Sequence, residues 1–183
     1  MFNDKASLIE SVKKGKRPHY LFFWGHTPRP DSSIGREVFS QWWVAPFLVD
    51  GQRYATAEHW MMAEKARLFA DDVALEKILA ASSPAQAKKL GRTVKGFDEH
   101  RWKGQRFNIV VAGNLAKFGQ HEALKIFLLN TGNKVLVEAS PVDRIWGIGL
   151  SADNPSAENP ESWRGLNLLG FALMVVRERL LAG

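Results

Sequence analysis

The segment from Thr56 to Phe69 holds the residue types most able to do chemistry in this 183-residue chain. It reads Thr-Ala-Glu-His-Trp-Met-Met-Ala-Glu-Lys-Ala-Arg-Leu-Phe, which predicts a helix with Thr56 as its N-cap. Glu58 and Lys65 are seven residues apart, so the helical period places both on one face. A carboxyl group beside a nucleophilic amine is a usable catalytic pair. Each residue also has an ordinary explanation, because the helix dipole favours a first-turn Glu and most lysines are solvated.

Other classes of reactive site find little support in the sequence. The chain has no cysteine, which excludes a thiolate nucleophile and any zinc or iron–sulfur site built on cysteine. Its five histidines are scattered, so we expect no metal site, and no motif for a bound cofactor is present. Covalent chemistry would therefore have to use Lys65 or a carboxylate.

The positive charge of the chain is concentrated in short segments. There are 25 basic and 19 acidic residues, for a net charge of +6, and residues 84–106 hold seven of the basic residues and only two of the acidic ones. Such a cluster suits phosphate groups, with Arg92 as the best candidate because a guanidinium binds them bidentately. Trp102 in the same segment could stack on a base or could be a core residue. A solvated helix face explains the cluster equally well.

The periodicity predicts a mainly α fold with a few short β-strands. Residues 1–18 resemble a short helix, residues 19–25 a strand, and Asp50-Gly51 the turn of a hairpin. Further helices are expected at 72–80, 84–91, 101–118, 121–130 and 166–181, with a strand at 134–138 and a long loop at 140–160. No stretch is apolar enough for a secretory signal or a membrane span, so we expect a cytoplasmic protein without a membrane partner.

A series of short motifs in fixed order resembles one known family. The motifs include Phe39-Ser-Gln-Trp-Trp, Thr56-Ala-Glu-His-Trp, Trp102, Asp143 with Trp146-Gly147, and Arg164-Gly-Leu-Asn-Leu-Leu-Gly. Their succession resembles the NADAR (NAD- and ADP-ribose-associated) family, which includes YbiA-type proteins. The resemblance implies a compact, mainly helical single domain over residues 19–183, preceded by an N-terminal extension over residues 1–18. It also implies an N-glycosidase that needs no metal or cofactor.

The resemblance also implies roles for individual residues. Glu58 would be the general acid or base, and in the branch of the family that acts on ADP-ribosylated guanine, Lys65 would attack a ring-opened sugar to form a Schiff base. Asp143 would be a second carboxylate if the loop at residues 140–149 folds over the helix of Glu58. The remaining candidate site positions are expected to bind substrate: Arg92, Trp102, Trp146 and Gly147.

Two substrate classes follow from the resemblance, and the sequence does not choose between them. One is ADP-ribosylated guanine in nucleic acid, which would make modified DNA or RNA a partner. The other is a phosphoribosylamino-pyrimidine intermediate of riboflavin biosynthesis. Some YbiA-type sequences read Trp-Gly-Asp-Gly where this chain has Ile148 in place of the Asp, which slightly disfavours the second class. A non-hydrolytic ADP-ribose or nucleotide-binding module is one alternative, although it would not need Glu58 or Lys65, and a general nucleic-acid-binding protein is another.

Overall fold

A computed structural model of the chain describes Phe2 and residues 4–183. About 49% of the chain is helical, which confirms the mainly α prediction. The α-helices of the described residues are α1 (Lys5–Lys13), α2 (Ala57–Leu68), α3 (Asp72–Leu79), α4 (Pro84–Gly91), α5 (Glu99–Gln120), α6 (Glu122–Leu129) and α7 (Leu168–Ala182). The strands are β1 (Tyr20–Phe23), β2 (Phe47–Val49), β3 (Gln52–Tyr54) and β4 (Val135–Glu138), and 3₁₀ helices lie at Arg36–Phe39 and Pro160–Ser162.

Polar N-caps fix where several helices begin. The Thr56 side chain accepts a hydrogen bond from the backbone N–H of His59 at the start of α2. Ser83 and Asp98 act in the same way at α4 and α5, and Pro84 occupies the first turn of α4. The cap at Asp98 accepts the Arg101 N–H, so α5 begins at Glu99, two residues before the predicted start at residue 101.

The predicted hairpin is present. Strands β2 and β3 pair antiparallel, with Phe47 opposite Tyr54 and Val49 opposite Gln52. Asp50 and Gly51 both have positive φ, 49° and 79°. This is the backbone conformation that a tight two-residue hairpin turn requires, and it explains why the Asp-Gly pair stands here.

The contacts of the chain divide it into two units. The first consists of the residues up to Ser40 together with Ala123–Gly183, and the second of Gln41–Glu122. In the second unit, α2 packs against α3, α4 and α5, and eight of its residues are buried, including Glu58 and His59. The central position of α2 in this unit means that its polar side chains lie in a largely apolar environment.

The first unit is built around β1 and β4, which pair in parallel, with α7 packed on β4. Asn167 joins these elements, since its side chain accepts from the Glu138 N–H and donates to the Leu136 oxygen, at 2.9 Å in each case. The residue is fully buried and has a φ of 54°, in the left-handed region. Helix α1 belongs to the same unit, where Leu8 is fully buried and the Lys5 ammonium group donates to the Trp163 oxygen at 2.6 Å.

The described helices differ from membrane spans. Among the residues that the structure describes, no helix is both long enough and apolar enough to span a bilayer.

Candidate active site

Glu58 is held in the first turn of α2, in the second unit. The cap at Thr56 fixes the start of the helix, and the Glu58 backbone N–H donates to the Gln41 oxygen at 3.0 Å. The residue is only 3% exposed. Its carboxyl group therefore lies at the N-terminal end of the helix dipole, in a position largely removed from water.

Lys65 lies two turns further along α2, and its amine is held by one carbonyl and two aromatic rings. The Nζ atom donates to the Gly91 oxygen at 2.8 Å and lies 4.5 Å from the centre of the Phe97 ring and 5.6 Å from that of Trp102. Burial lowers the pKa of Lys65, and the nearby charge of Arg92 lowers it further. The structure therefore brings Lys65, Arg92 and Trp102 together, and it favours the neutral, nucleophilic amine more than water would.

Met62 separates Glu58 from Lys65 on the predicted face of α2. A helical rise of about 1.5 Å per residue puts the α-carbons of Glu58 and Lys65 about 10 Å apart along the axis. Met62 is buried against Gly91, where an added Cβ would overlap the Met62 sulfur. The close approach of α4 to α2 at this point delivers the Gly91 carbonyl to the Lys65 amine.

The basic residues of the cluster at residues 84–106 differ in their exposure and in their partners. Lys103 forms an ion pair with Glu99 at 2.8 Å, and Arg106 is buried. Arg92, Lys89 and Lys95 are exposed. Only part of the cluster is therefore presented to solvent, where it could meet a phosphate group. Of the exposed members, Arg92 is the one whose charge lowers the pKa of Lys65.

Asp143, Trp146 and Gly147 lie in the loop that follows β4, in the first unit. One carboxylate oxygen of Asp143 accepts the backbone N–H groups of Ile145 and Trp146, each at 2.8 Å. A Cβ at Gly147 would come within 2.8 Å of the Glu138 oxygen, so only glycine fits without a shift. Asp143 thus shapes the loop. A contact with substrate would use the lone pairs of its carboxylate that the two backbone N–H groups leave free.

Two further residues have surroundings that the sequence did not suggest. Phe97 supplies the aromatic ring nearer to Lys65, and its only local signal is its place just before the N-cap Asp98. Lys117 in α5 is fully buried, and burial lowers its pKa to about 7. Both ring nitrogens of His59 make contacts within the fold. One lies 2.8 Å from the Thr56 hydroxyl and the other 3.0 Å from the Ala81 oxygen.

Comparison with known proteins identifies the family. The NADAR domain model matches residues 22–181, and the chain belongs to the NADAR family. It is 43% identical over 164 residues to N-glycosidase R617 of Acanthamoeba polyphaga mimivirus, covering 87% of this chain and 95% of that protein. It is 33% identical over 142 residues to N-glycosidase YbiA of Escherichia coli, covering 78% and 80% respectively.

The fold comparison agrees with the sequence relatives. The NMR structure of E. coli YbiA superposes with a TM-score of 0.69 at 29% sequence identity, covering 91% of this chain and 88% of that one. The predicted family and the predicted mainly α fold are thereby confirmed. The names of the relatives also confirm the prediction of an enzyme class, a hydrolase of N-glycosyl bonds.

Proposed function

We propose that this NADAR protein hydrolyses the bond between ribose C1′ and an amino nitrogen of a base, with Lys65 as the nucleophile. The observation that carries the proposal is the environment of the Lys65 amine. Its pKa is lowered by burial and by Arg92, and it lies against the ring of Trp102. An amine with a lowered pKa is more often neutral at a given pH, so it forms a Schiff base with a sugar carbon faster than a fully charged surface lysine does.

The lysine mechanism begins when the sugar ring opens. The lone pair of the base's amino nitrogen forms a C1′=N double bond while the bond from C1′ to the ring oxygen breaks, and that oxygen takes a proton. Lys65 Nζ then adds to C1′, forming a carbon–nitrogen bond, and loses to solvent one proton, which balances the proton that the ring oxygen took from solvent. This route requires an amino-linked base, since a nitrogen without an available lone pair cannot open the ring.

Release of the base follows from proton transfer. We assign Glu58 as the acid that protonates the departing amino nitrogen, so that the bond from C1′ to the base breaks and Lys65 is left as an imine of the sugar. Water, activated by the resulting carboxylate, adds to the imine carbon and returns a proton to Glu58. The bond from C1′ to Nζ then breaks as the new hydroxyl proton passes to Nζ, and the freed aldehyde closes its ring with the sugar hydroxyl formed at ring opening. The lysine and the carboxyl group return to their starting states, with one water consumed.

The same proposal gives roles to the other candidate residues. Arg92 would bind the phosphate of the substrate through its guanidinium, and Trp102 would stack on the base, a contact worth about 1–3 kcal/mol. Asp143 is proposed as a second carboxylate that supports positive charge on the sugar. Trp146 and Gly147 are proposed to shape the wall of the substrate site.

ADP-ribosylated guanine in DNA or RNA is the substrate class that we place first. This substrate has both an amino-linked ribose and phosphates. In addition, this chain has Ile148 where some YbiA-type sequences have an acidic residue. A phosphoribosylamino-pyrimidine offers the same type of bond and is the second candidate. The protein would then need no cofactor, and we propose the cytoplasm as its location.

A comparison of substrates and variants tests the proposal. We would offer an ADP-ribosylated guanine oligonucleotide and a phosphoribosylamino-pyrimidine separately, and measure the base and sugar released. Treatment with borohydride during turnover should attach the sugar to Lys65. Lys65→Met should abolish this adduct and lower kcat, while the control Lys77→Met, which removes an exposed lysine of the same unit outside the basic cluster, should keep both.

Glu58→Gln tests the acid–base role separately. It should retain substrate binding and lower kcat by about 10²–10⁴-fold, the usual contribution of a general acid or base. Full activity of Lys65→Met without any trapped adduct would contradict the covalent route. A wild-type chain that binds ADP-ribose but releases no base from either substrate would instead identify the non-hydrolytic binding module.

A further inference from the structure

A pocket of about 440 Å³ lies in the first unit, at the end of β1. Its walls come from β1, the loop that follows it, and the 3₁₀ helix at Arg36–Phe39. We refer to it as the Trp24 pocket, and its main lining residues are Phe22, Trp24, Thr27, Arg29, Arg36 and Glu37. Pockets of roughly 300–1,000 Å³ are the usual size for small-molecule ligands, so a nucleotide fits this volume. The proposed hydrolysis uses none of these residues.

Two guanidinium groups at the Trp24 pocket are held in place by the surrounding chain. The Arg36 Nη1 donates to the Phe22 oxygen at 3.2 Å. The Arg29 Nε lies 3.5 Å from a Glu37 carboxylate oxygen, and the guanidinium covers Gly35, where a Cβ would overlap it. A guanidinium has five N–H donors, so each of the two retains donors for a ligand. Oriented guanidinium groups of this kind suit a phosphate.

Glu37 and Trp24 add two different features to the same pocket. The Glu37 side chain is only 11% exposed, and its buried Oε1 receives no hydrogen bond from the described residues. A buried acceptor without a donor is unfavourable, so an N–H group of a ligand would stabilise it. Trp24 is 61% exposed, which is unusual for an indole and leaves a surface on which a flat ring can stack.

We infer that the Trp24 pocket binds a nucleotide whose base carries an amino group. The base stacks on Trp24, its amino group donates to Glu37 Oε1, and Arg36 binds the phosphate. A phosphate alone would leave the aromatic surface and the buried acceptor unused, and an uncharged aromatic ligand would leave the arginines unused. The nucleotide can be free or part of a nucleic-acid strand, since both offer the same three groups.

Calorimetric titration with AMP tests the assignment, alongside a short single-stranded oligoadenylate and purine riboside 5′-monophosphate, which is AMP without its amino group. Binding is measured in the wild-type chain and in Glu58→Gln, so that it does not depend on turnover. AMP should bind the wild type at least about tenfold more tightly than the compound without the amino group, because that compound leaves Glu37 without a donor. Saturable AMP binding identifies a free nucleotide as the ligand, and binding of the oligoadenylate alone identifies a nucleotide within a strand.

Three variants assign the contacts. Arg36→Met should weaken AMP binding by at least about tenfold through loss of the phosphate contact. The control Arg179→Met, which removes an exposed arginine of the same unit, should leave binding unchanged. Glu37→Gln should reduce the preference for AMP over the compound without the amino group, and Trp24→Ala should weaken binding of both compounds. Failure of both AMP and the oligoadenylate to bind, or equal affinities for Arg36→Met and Arg179→Met, would overturn the inference, whatever the outcome for hydrolysis.

Discussion

The ammonium nitrogen of Lys65 lies 2.8 Å from the backbone oxygen of Gly91, the last residue of α4. Gly91 can bring this oxygen so close because it has no side chain, since a Cβ would overlap Met62. The position of the amine in α2 is therefore set by the packing of α4, and not by an acidic partner. A lysine held by a carbonyl oxygen keeps its hydrogen bond in the neutral form, because a neutral amine still donates N–H bonds.

The pH dependence of the reaction should follow the Lys65 amine. The neutral form attacks, so the rate of the covalent step should rise with pH through the Lys65 pKa, which lies below its ordinary value. Arg92→Met removes a neighbouring positive charge, so the pKa should increase and the rise should move to higher pH. Single-turnover rates across a pH series measure this, and Lys77→Met, at an exposed position outside the basic cluster, is the control. An unchanged midpoint in Arg92→Met would show that burial alone sets the pKa.

The stability of the chain should depend on pH through Lys117. Burial lowers the pKa of this lysine to about 7, whereas an exposed lysine titrates near 10.5. Between these values the unfolded chain binds more protons than the folded one, so the free energy of unfolding should rise with pH, by at most about 1.4 kcal/mol per pH unit. Lys117→Met should remove this increase and Lys89→Met should keep it, as measured by urea unfolding at pH 7, 8 and 9. The same slope in both variants would contradict the prediction.

Two glycines of α5 should respond oppositely to alanine. A Cβ at Gly113 would overlap the indole ring of Trp60, whose N–H is held by the Ile109 oxygen at 2.7 Å. Gly113→Ala should therefore destabilise the fold by about 1–3 kcal/mol through overpacking. Gly104 has no atom within 4 Å of the same position, so Gly104→Ala should stabilise the helix by about 0.5–1 kcal/mol. Thermal unfolding of both variants checks the contrast, and destabilisation of equal size would refute it.

Asn167 should be essential for joining β4 to α7. Asn167→Ala removes hydrogen bonds to the Glu138 N–H and the Leu136 oxygen, and it places alanine at a positive φ. We expect a loss of about 2–4 kcal/mol, since a buried donor and acceptor lose their partners. Asn130→Ala, at an exposed position after α6, should change stability by no more than about 0.5 kcal/mol. A small effect at Asn167 would indicate that the backbone relaxes to replace both bonds.

Local signals in the sequence determine much of this structure. The Asp50-Gly51 turn, the Thr56 cap and the Ser83-Pro84 start of α4 each depend on a few adjacent residues, and each could be predicted. The parallel pairing of β1 with β4 could not, because it joins residues 20–23 to residues 135–138 and leaves no local pattern. The turn at Asp143 is a further local feature, since an aspartate carboxylate commonly accepts the backbone N–H two residues ahead.

The candidate site was predictable to a similar extent. Glu58 and Lys65 share a helix, so their common face follows from the period alone. The contact of Lys65 with Phe97 depends on how the segment after α4 packs, which no spacing in the sequence reveals. Burial lowers the pKa values of the Lys65 and Lys117 amines. Burial depends on how the chain packs, so the sequence pattern does not reveal these shifts.

The pairing of β1 with β4 also has a consequence for the order of folding. Residues 41–122 form a unit that is continuous in sequence, whereas the other unit takes its strands from both sides of that segment. During synthesis from the N-terminus, β1 emerges long before β4, so its edge stays unpaired while the intervening helices form. Contacts between such distant residues form slowly because the closure of a long loop opposes them. We therefore expect chains that end before residue 135 to leave an aromatic strand exposed and to aggregate more readily than the full chain.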